Sequence, residues 1–329
     1  MPRLSLLIGC LFSLCWSAQS FAEEITSPPY AVSVIPDRTF GQGQLLKDGR
    51  KLSRDLLLDV YRPATQDQQM LNQRPAVVLA FGGAFHRGGR GFNTFHEEGA
   101  QDSSMADYCQ SLARAGYVCF AMEYRLMPEH PVLETPVDPS RQMPMTLAVN
   151  ANTTARIDAV RQAMGLEKLD ESTRPIFWDT IFAAAEDLAK AVDYVQRNAD
   201  EYGVDASKVA VGGFSSGAIT AINLAYGTNA PVKAVLSLSG STWGYYLPAT
   251  VHPQQPPLLA FVGQNDLPGV LHGSASTLSS LESAGIPFEA AWVPGFGHFY
   301  PKGAVSLGAD LSRLSVEQRI LRFLEQHLQ

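Results

Sequence analysis

Residues 209–226 constrain this chain more than any other stretch. A short β-branched run, Val209 to Gly212, leads into Gly213-Phe214-Ser215-Ser216-Gly217, and a segment of good helix formers runs from Ala218 to Tyr226. The middle five residues have the form Gly-x-Ser-x-Gly, a sharp strand-to-helix bend with a serine at its apex. At so tight a bend the residues two places either side of the serine press on one another, and glycine alone fits there without a side-chain clash. The bend thrusts Ser215 Oγ out of the sheet, while the following helix start supplies unpaired N–H groups and partial positive charge. A nucleophile and a site for an anion therefore arise together.

Arg3, the apolar run 4–16 and Ser20-Phe21-Ala22 predict a leader over residues 1–22. The expected mature chain, 23–329, begins near Glu23 and is exported, to the periplasm or beyond the cell. The apolar run is too short to span a bilayer, so no transmembrane segment is expected. Leu7-Ile8-Gly9-Cys10 resembles a lipid-attachment box, but the chain before Cys10 is too short for a signal, and no lipid anchor is predicted. Cleavage leaves Cys109 and Cys119 alone, so the fold must rest on its core. A helix folded back on its strand brings that pair within disulfide reach, and two small buried thiols fit the pattern equally well. A net charge of −7 without a lysine- or arginine-rich run excludes nucleic acid as an expected partner.

Residues 25–49, rich in proline and glycine, read as a turn-rich segment that wraps the surface. Leu56, Leu58 and Val60 alternate as in a half-buried strand ended by Pro63, and 76–81 is a continuous apolar run ending at Gly82-Gly83-Ala84-Phe85. Met105, Cys109 and Leu112 share a helix face, with Asp102 or Ser103 as its cap, and 117–124 is a further buried strand. The pattern loosens over about 127–175, apart from a helix carrying Ile157, Val160 and Met164, and reads as an insertion. A helix aligning Ile181, Leu188, Val192 and Val195 leads to the serine bend. Beyond it come strands at 234–238, 258–262 and 288–293, a helix at 274–284, and a last helix with a Ser315/Gln318 capping box and the stripe Leu321, Leu324 and Leu328. Strands alternating with helices predict an α/β fold with a mostly parallel sheet covered on both faces.

In such sheets function collects at the loops leaving the carboxyl ends of the strands. Ser215 leaves one. Asp266 follows the 258–262 strand in Val-Gly-Gln-Asn-Asp, and His298 follows the 288–293 strand in Pro-Gly-Phe-Gly-His. A serine hydroxyl becomes a good nucleophile when a histidine takes its proton, and the histidine needs a carboxylate to fix its tautomer. Backbone N–H groups of Gly83, Ala84 and Ser216 are the expected donors to the negative charge that develops on a carbonyl oxygen. His86 and His96 are expected to be solvated loop histidines, and His96-Glu97-Glu98 lacks the second histidine of a zinc helix. No metal site and no cofactor is predicted.

With serine, acid and histidine in that order, the chain resembles the α/β-hydrolases of the esterase/lipase superfamily, close to bacterial carboxylesterases that include bifunctional feruloyl and acetyl-xylan esterases. Leu58-Asp59-Val60-Tyr61-Arg62-Pro63, Glu123-Tyr124-Arg125-Leu126 and Gly203-Val204-Asp205 carry the likeness alongside the serine bend. It implies Ser215 as nucleophile, His298 as base, Asp266 as acid, and an ester substrate, either a small molecule or attached to a polymer. It also implies a histidine before the oxyanion glycines, where this chain has Phe81, and a shorter 127–175 segment, read here as a lid or pocket wall. Phe85, Phe214, Trp243 and Phe299, with Tyr245, Tyr246 and Tyr300, flank the expected site, and the first four are the expected substrate contacts. A peptidase of the prolyl-oligopeptidase type and a non-catalytic binding protein on the same fold are the alternatives.

Overall fold

The computed structural model describes residues 30–67, 69–150 and 153–328. The expected leader, with Cys10 and Cys15, lies outside them. Among the described residues ten strands form one sheet: β1 (Ala31–Lys47), β2 (Arg50–Ala64), β3 (Arg74–Ala80), β4 (Val118–Met122), β5 (Val204–Phe214), β6 (Ala234–Leu238), β7 (Leu258–Gly263), β8 (Phe288–Val293), β9 (Val305–Gly308) and β10 (Arg313–Ser315). Their spatial order is β1-β2-β4-β3-β5-β6-β7-β8-β9-β10. The six from β4 to β8 run parallel, and the pairs at either edge are antiparallel.

The central strands carry continuous apolar runs where helices cover both faces: Val77, Val78, Phe120, Val211, Val235 and Phe261 are fully buried. The main helices are α1 (Met105–Arg114), α2 (Ala155–Ala163), α3 (Arg174–Arg197), α4 (Ser216–Ile222), α5 (Pro268–Ser283) and α6 (Val316–His327). Ile181, Leu188, Val192 and Val195 are buried along α3, and α6 begins with the Ser315/Gln318 capping box. Its inner face is broader than the leucine stripe: Val316, Ile320 and Phe323 are buried with Leu324 and Leu328, while Leu321 sits at the margin. Cys109 of α1 and Cys119 of β4 are joined in a disulfide.

Several expectations give way. The segment expected to wrap the surface is β1, an edge strand paired with β2 along nearly its whole length. Pro36 and Gly41 fall at register shifts, where an edge strand absorbs residues that a central strand rejects. Ser104, not Asp102 or Ser103, caps α1 in a reciprocal box with Asp107. β2 is buried on both faces near its end, at Asp59 and Tyr61 as well as at the leucines. Met164 lies past the end of α2 and is exposed, α5 starts at Pro268 rather than at Ser274, and the β9–β10 hairpin had no clear signal in its short, polar strands. Among the described residues no helix is long and apolar enough to cross a membrane.

Candidate active site

β5, at the centre of the sheet, delivers Ser215 to its carboxyl edge, and α4 begins at the next residue. Ser215 has φ 53° and ψ −117°, a conformation that costs a non-glycine residue about 1–3 kcal/mol and must be held by its surroundings. The hold is visible on both sides. Ser215 N–H donates to Leu238 O at 2.8 Å, and Ser215 O accepts from Ile219 N–H at 3.0 Å as α4 starts. A Cβ on Gly213 would lie 2.6 Å from the Gly217 carbonyl carbon, and one on either glycine would overlap Ala80 O.

The loops after β7 and β8 bring Asp266 and His298 to the same point. His298 Nε2 lies 2.8 Å from Ser215 Oγ, and His298 Nδ1 lies 2.7 Å from Asp266 Oδ1. A carboxylate oxygen only accepts, so the proton sits on Nδ1 and Nε2 is free to receive the serine proton. Asp266 is itself pinned: Oδ1 also accepts from Leu267 N–H at 2.8 Å, and Oδ2 from Gly263 N–H at 3.1 Å and Ser239 Oγ at 2.5 Å. The Tyr300 hydroxyl stands 3.0 Å from Ser239 Oγ, and Glu98 Oε2 accepts the backbone N–H of His298 at 3.2 Å. Sequence reasoning missed Ser239 and Glu98. Ser239 does immediately follow β6, at the carboxyl edge where such residues collect.

The loop after β3 carries three consecutive positive φ values, Gly83 at 131°, Ala84 at 59° and Phe85 at 60°. Gly83, Ala84 and Ser216 line the same cavity as Ser215. Phe81 holds the loop's entry by stacking on Tyr124, with centroids 4.5 Å apart, and the Tyr124 hydroxyl donates to Phe81 O at 2.8 Å and lies 3.1 Å from Ser216 Oγ. His86 is not the solvated histidine expected from the sequence. It is 1% exposed, because α2 and Phe177 of α3 close over it. His96 is exposed, as expected.

Burial pushes the His86 imidazole down to about 4 from its usual 6.5, with a smaller downward push from Arg161. The unfolded chain then binds the extra proton first, so the contribution to stability is complete above about pH 6.5 and declines as pH falls toward 4. Burial raises the Asp102 carboxyl to about 6, which acts with the opposite sign, weakening the fold as pH rises from 3.8 toward 6. Asp102 is common to the wild type and His86→Gln, so it cancels when their unfolding free energies are compared across pH. That difference should shift by about 3 kcal/mol against the wild type between pH 7 and pH 4. Urea unfolding at each pH measures it, and parallel curves would contradict it.

The cavity in front of Ser215 has a volume of about 780 Å³. Phe85, Phe214, Trp243 and Phe299 line it, whereas Tyr245, Tyr246 and Tyr300 do not. Met143, Leu147, Ile157 and Val160, all from the 127–175 segment, form an apolar wall. At the mouth Glu97 pairs with both Arg87 and Arg156, tying the loop after β3 to α2. Among the described residues no group of three or more metal-ligating side chains is present.

A family model described as BD-FAE matches residues 174–243, which run from the start of α3 through the serine bend and β6 to Trp243. No curated protein sequence matches the chain. Among solved structures, Thermogutta terrifontis esterase 2 phosphorylated by paraoxon superposes with a TM-score of 0.52 at 17% identity, covering 88% of this chain and 91% of that one. The native form of that esterase gives 0.52 at 16% identity over 91% of each chain, and its propionate-bound form 0.52 at 16% over 91% of this chain and 93% of that one. At such identities the likeness establishes the fold. The chain is an α/β-hydrolase by architecture, similar to the BD-FAE family over the segment that holds its serine bend.

Proposed function

We propose that the protein is a serine carboxylic-ester hydrolase in which Ser215 is the nucleophile, His298 the base and Asp266 the acid. The observation that carries this reading is the unbroken hydrogen-bonded line from Ser215 Oγ through His298 to Asp266, at 2.8 and 2.7 Å. In the first half-reaction Ser215 Oγ attacks the ester carbonyl carbon and its proton passes to His298 Nε2. The negative charge on the carbonyl oxygen is met by backbone N–H groups of Gly83, Ala84 and Ser216. As the carbon–oxygen bond to the alcohol breaks, His298 returns the proton to the leaving oxygen. Water, deprotonated by His298, then releases the acid from the acyl-enzyme. The chemistry needs no metal or cofactor. The esterase that shares the fold, seen both in its native form and phosphorylated by paraoxon, supports the same class of reaction. A cleaved leader over 1–22, an exported chain from about Glu23 and an insertion over 127–175 that walls the acyl pocket complete the reading.

The apolar wall sets an expected result. Leu147 lines the cavity yet is 69% exposed, so an acyl chain lying on it would cover surface that water now wets. Leu147→Ala should lower kcat/KM for p-nitrophenyl octanoate by about fivefold, the worth of roughly 1 kcal/mol of apolar burial, and leave p-nitrophenyl acetate unchanged. Equal effects on both esters would place the acyl group elsewhere. Turnover of a panel of p-nitrophenyl acetate, butyrate and octanoate with methyl ferulate tests the reading as a whole. Hydrolysis of none of them would sink it.

A further inference from the structure

The oxyanion loop holds Ala84 and Phe85 in the left-handed region, where residues with a Cβ stay only if something fixes them. The histidine that the family resemblance implies ahead of this loop is absent, since Phe81 stands there. A different histidine, inside the loop, has two hydrogen bonds that the rest of the site leaves unexplained. His86 Nδ1 lies 2.7 Å from Ala84 O, and His86 Nε2 lies 3.1 Å from Arg161 Nη1. Arg161, 8% exposed on α2, gives its other hydrogen bonds to Glu167 O at 2.6 Å and Met127 Sδ at 3.2 Å. All three acceptors are uncharged, an expensive place for a cation unless it is doing a job.

The chemistry of these partners fixes the proton. A guanidinium only donates, so His86 Nε2 must accept, and the single ring proton is left on Nδ1. There it faces Ala84 O, which only accepts. The bond clamps the Ala84–Phe85 peptide and with it the dihedrals of Ala84, whose own N–H is one of the proposed oxyanion donors. We infer that His86 is a positioning residue for the oxyanion donors, locked in its Nδ1–H tautomer by Arg161, so that α2 of the 127–175 segment helps to shape the catalytic loop as well as the pocket. This inference rests on the ester-hydrolase reading for its catalytic consequence, though the tautomer itself does not.

Two measurements test it. In protein labelled with nitrogen-15 histidine, the His86 ring, identified by the signals that vanish in His86→Asn, should show a protonated Nδ1 and a bare Nε2 at about pH 7. A proton on Nε2 would overturn the proposal without reference to activity. In kinetics with p-nitrophenyl butyrate, His86→Ala should lower kcat by about 10- to 100-fold with KM within about threefold, as expected when donors aimed at the transition state are misaligned. Affinity for an alkyl trifluoromethyl ketone, which forms a tetrahedral adduct with serine, should fall by the same factor. His86→Asn, whose amide N–H can reach the place of Nδ1–H, should recover most of both. Arg161→Met, which frees Nε2, should lower kcat by about 3- to 10-fold and show a mixture of tautomers. Folded His86→Ala with wild-type kcat and ketone affinity would overturn the role of His86. If His86→Ala does not fold, the wild-type tautomer and the His86→Asn kinetics decide. An inactive wild type would sink the ester-hydrolase reading, whereas an active wild type with indifferent His86 variants would sink this inference alone.

Discussion

Ser215→Ala should lose ester turnover by about 10⁵- to 10⁶-fold in kcat, the scale on which removing the nucleophile of a serine triad acts. The fold should not change. Ser215 is held by its backbone, through Leu238 O and Ile219 N–H, and alanine keeps both bonds. The residue left behind still faces His298, and Gly83, Ala84 and Ser216, the proposed oxyanion donors, still line the cavity, so a small residual rate above that of water is expected. His298→Ala should fall by a similar factor. The double variant should fall no further, because serine and histidine act as one unit. Steady-state kinetics with p-nitrophenyl butyrate, at matched thermal unfolding, measures all three. More than about 1% of wild-type turnover in Ser215→Ala would remove serine from the mechanism.

The largest expected loss of stability lies away from the site. Arg125 and Asp187 are both fully buried. Asp187 accepts from Arg125 N–H at 2.9 Å and from Arg125 Nε at 2.9 and 3.0 Å. The guanidinium also donates to Gln44 O at 3.1 Å, Val132 O at 2.7 Å and Ala183 O at 3.3 Å, joining β1, the segment after β4 and α3. Asp187→Ala leaves that buried cation with the partly exposed Glu186, 3.1 Å away, as its remaining carboxylate, and losing the main, buried partner typically destabilises by about 3–5 kcal/mol. With about 2–4 °C per kcal/mol in a domain of a few hundred residues, the unfolding midpoint should fall by about 6–20 °C. Arg125→Met with Asp187→Leu removes both charges and should fall much less. Calorimetry of the single and double variants checks this, and a single variant as stable as the double would contradict it.

The parts of the site visible in the sequence share one property: each follows an apolar run that reads as a strand without help from the rest of the chain. Ser215, Asp266 and His298 all stand just beyond such runs, and the parallel sheet then aligns those ends along one edge. β1 was illegible because Pro36, Gly41 and Gly43 are loop signals, and only pairing with β2 makes them part of an edge strand, Pro36 and Gly41 at its register shifts and Gly43 in regular register opposite Arg54. His86 was misread for a related reason. Its neighbours in sequence are those of a solvated loop, and its burial is supplied by Arg161, 75 residues further on. Ser239 illustrates the same limit, since its value lies in a bond to Asp266 across 27 residues that no local pattern encodes.

In the proposed mechanism Ser215 is an activated nucleophile. Intact-protein mass after treatment with paraoxon, followed by peptide mapping, tests it most directly. One diethylphosphoryl group per chain should appear on the peptide containing Ser215, with ester turnover lost in proportion, and Ser215→Ala should take up none. Folded wild-type protein that stays unmodified, or that is labelled equally when Ser215 is alanine, would contradict it.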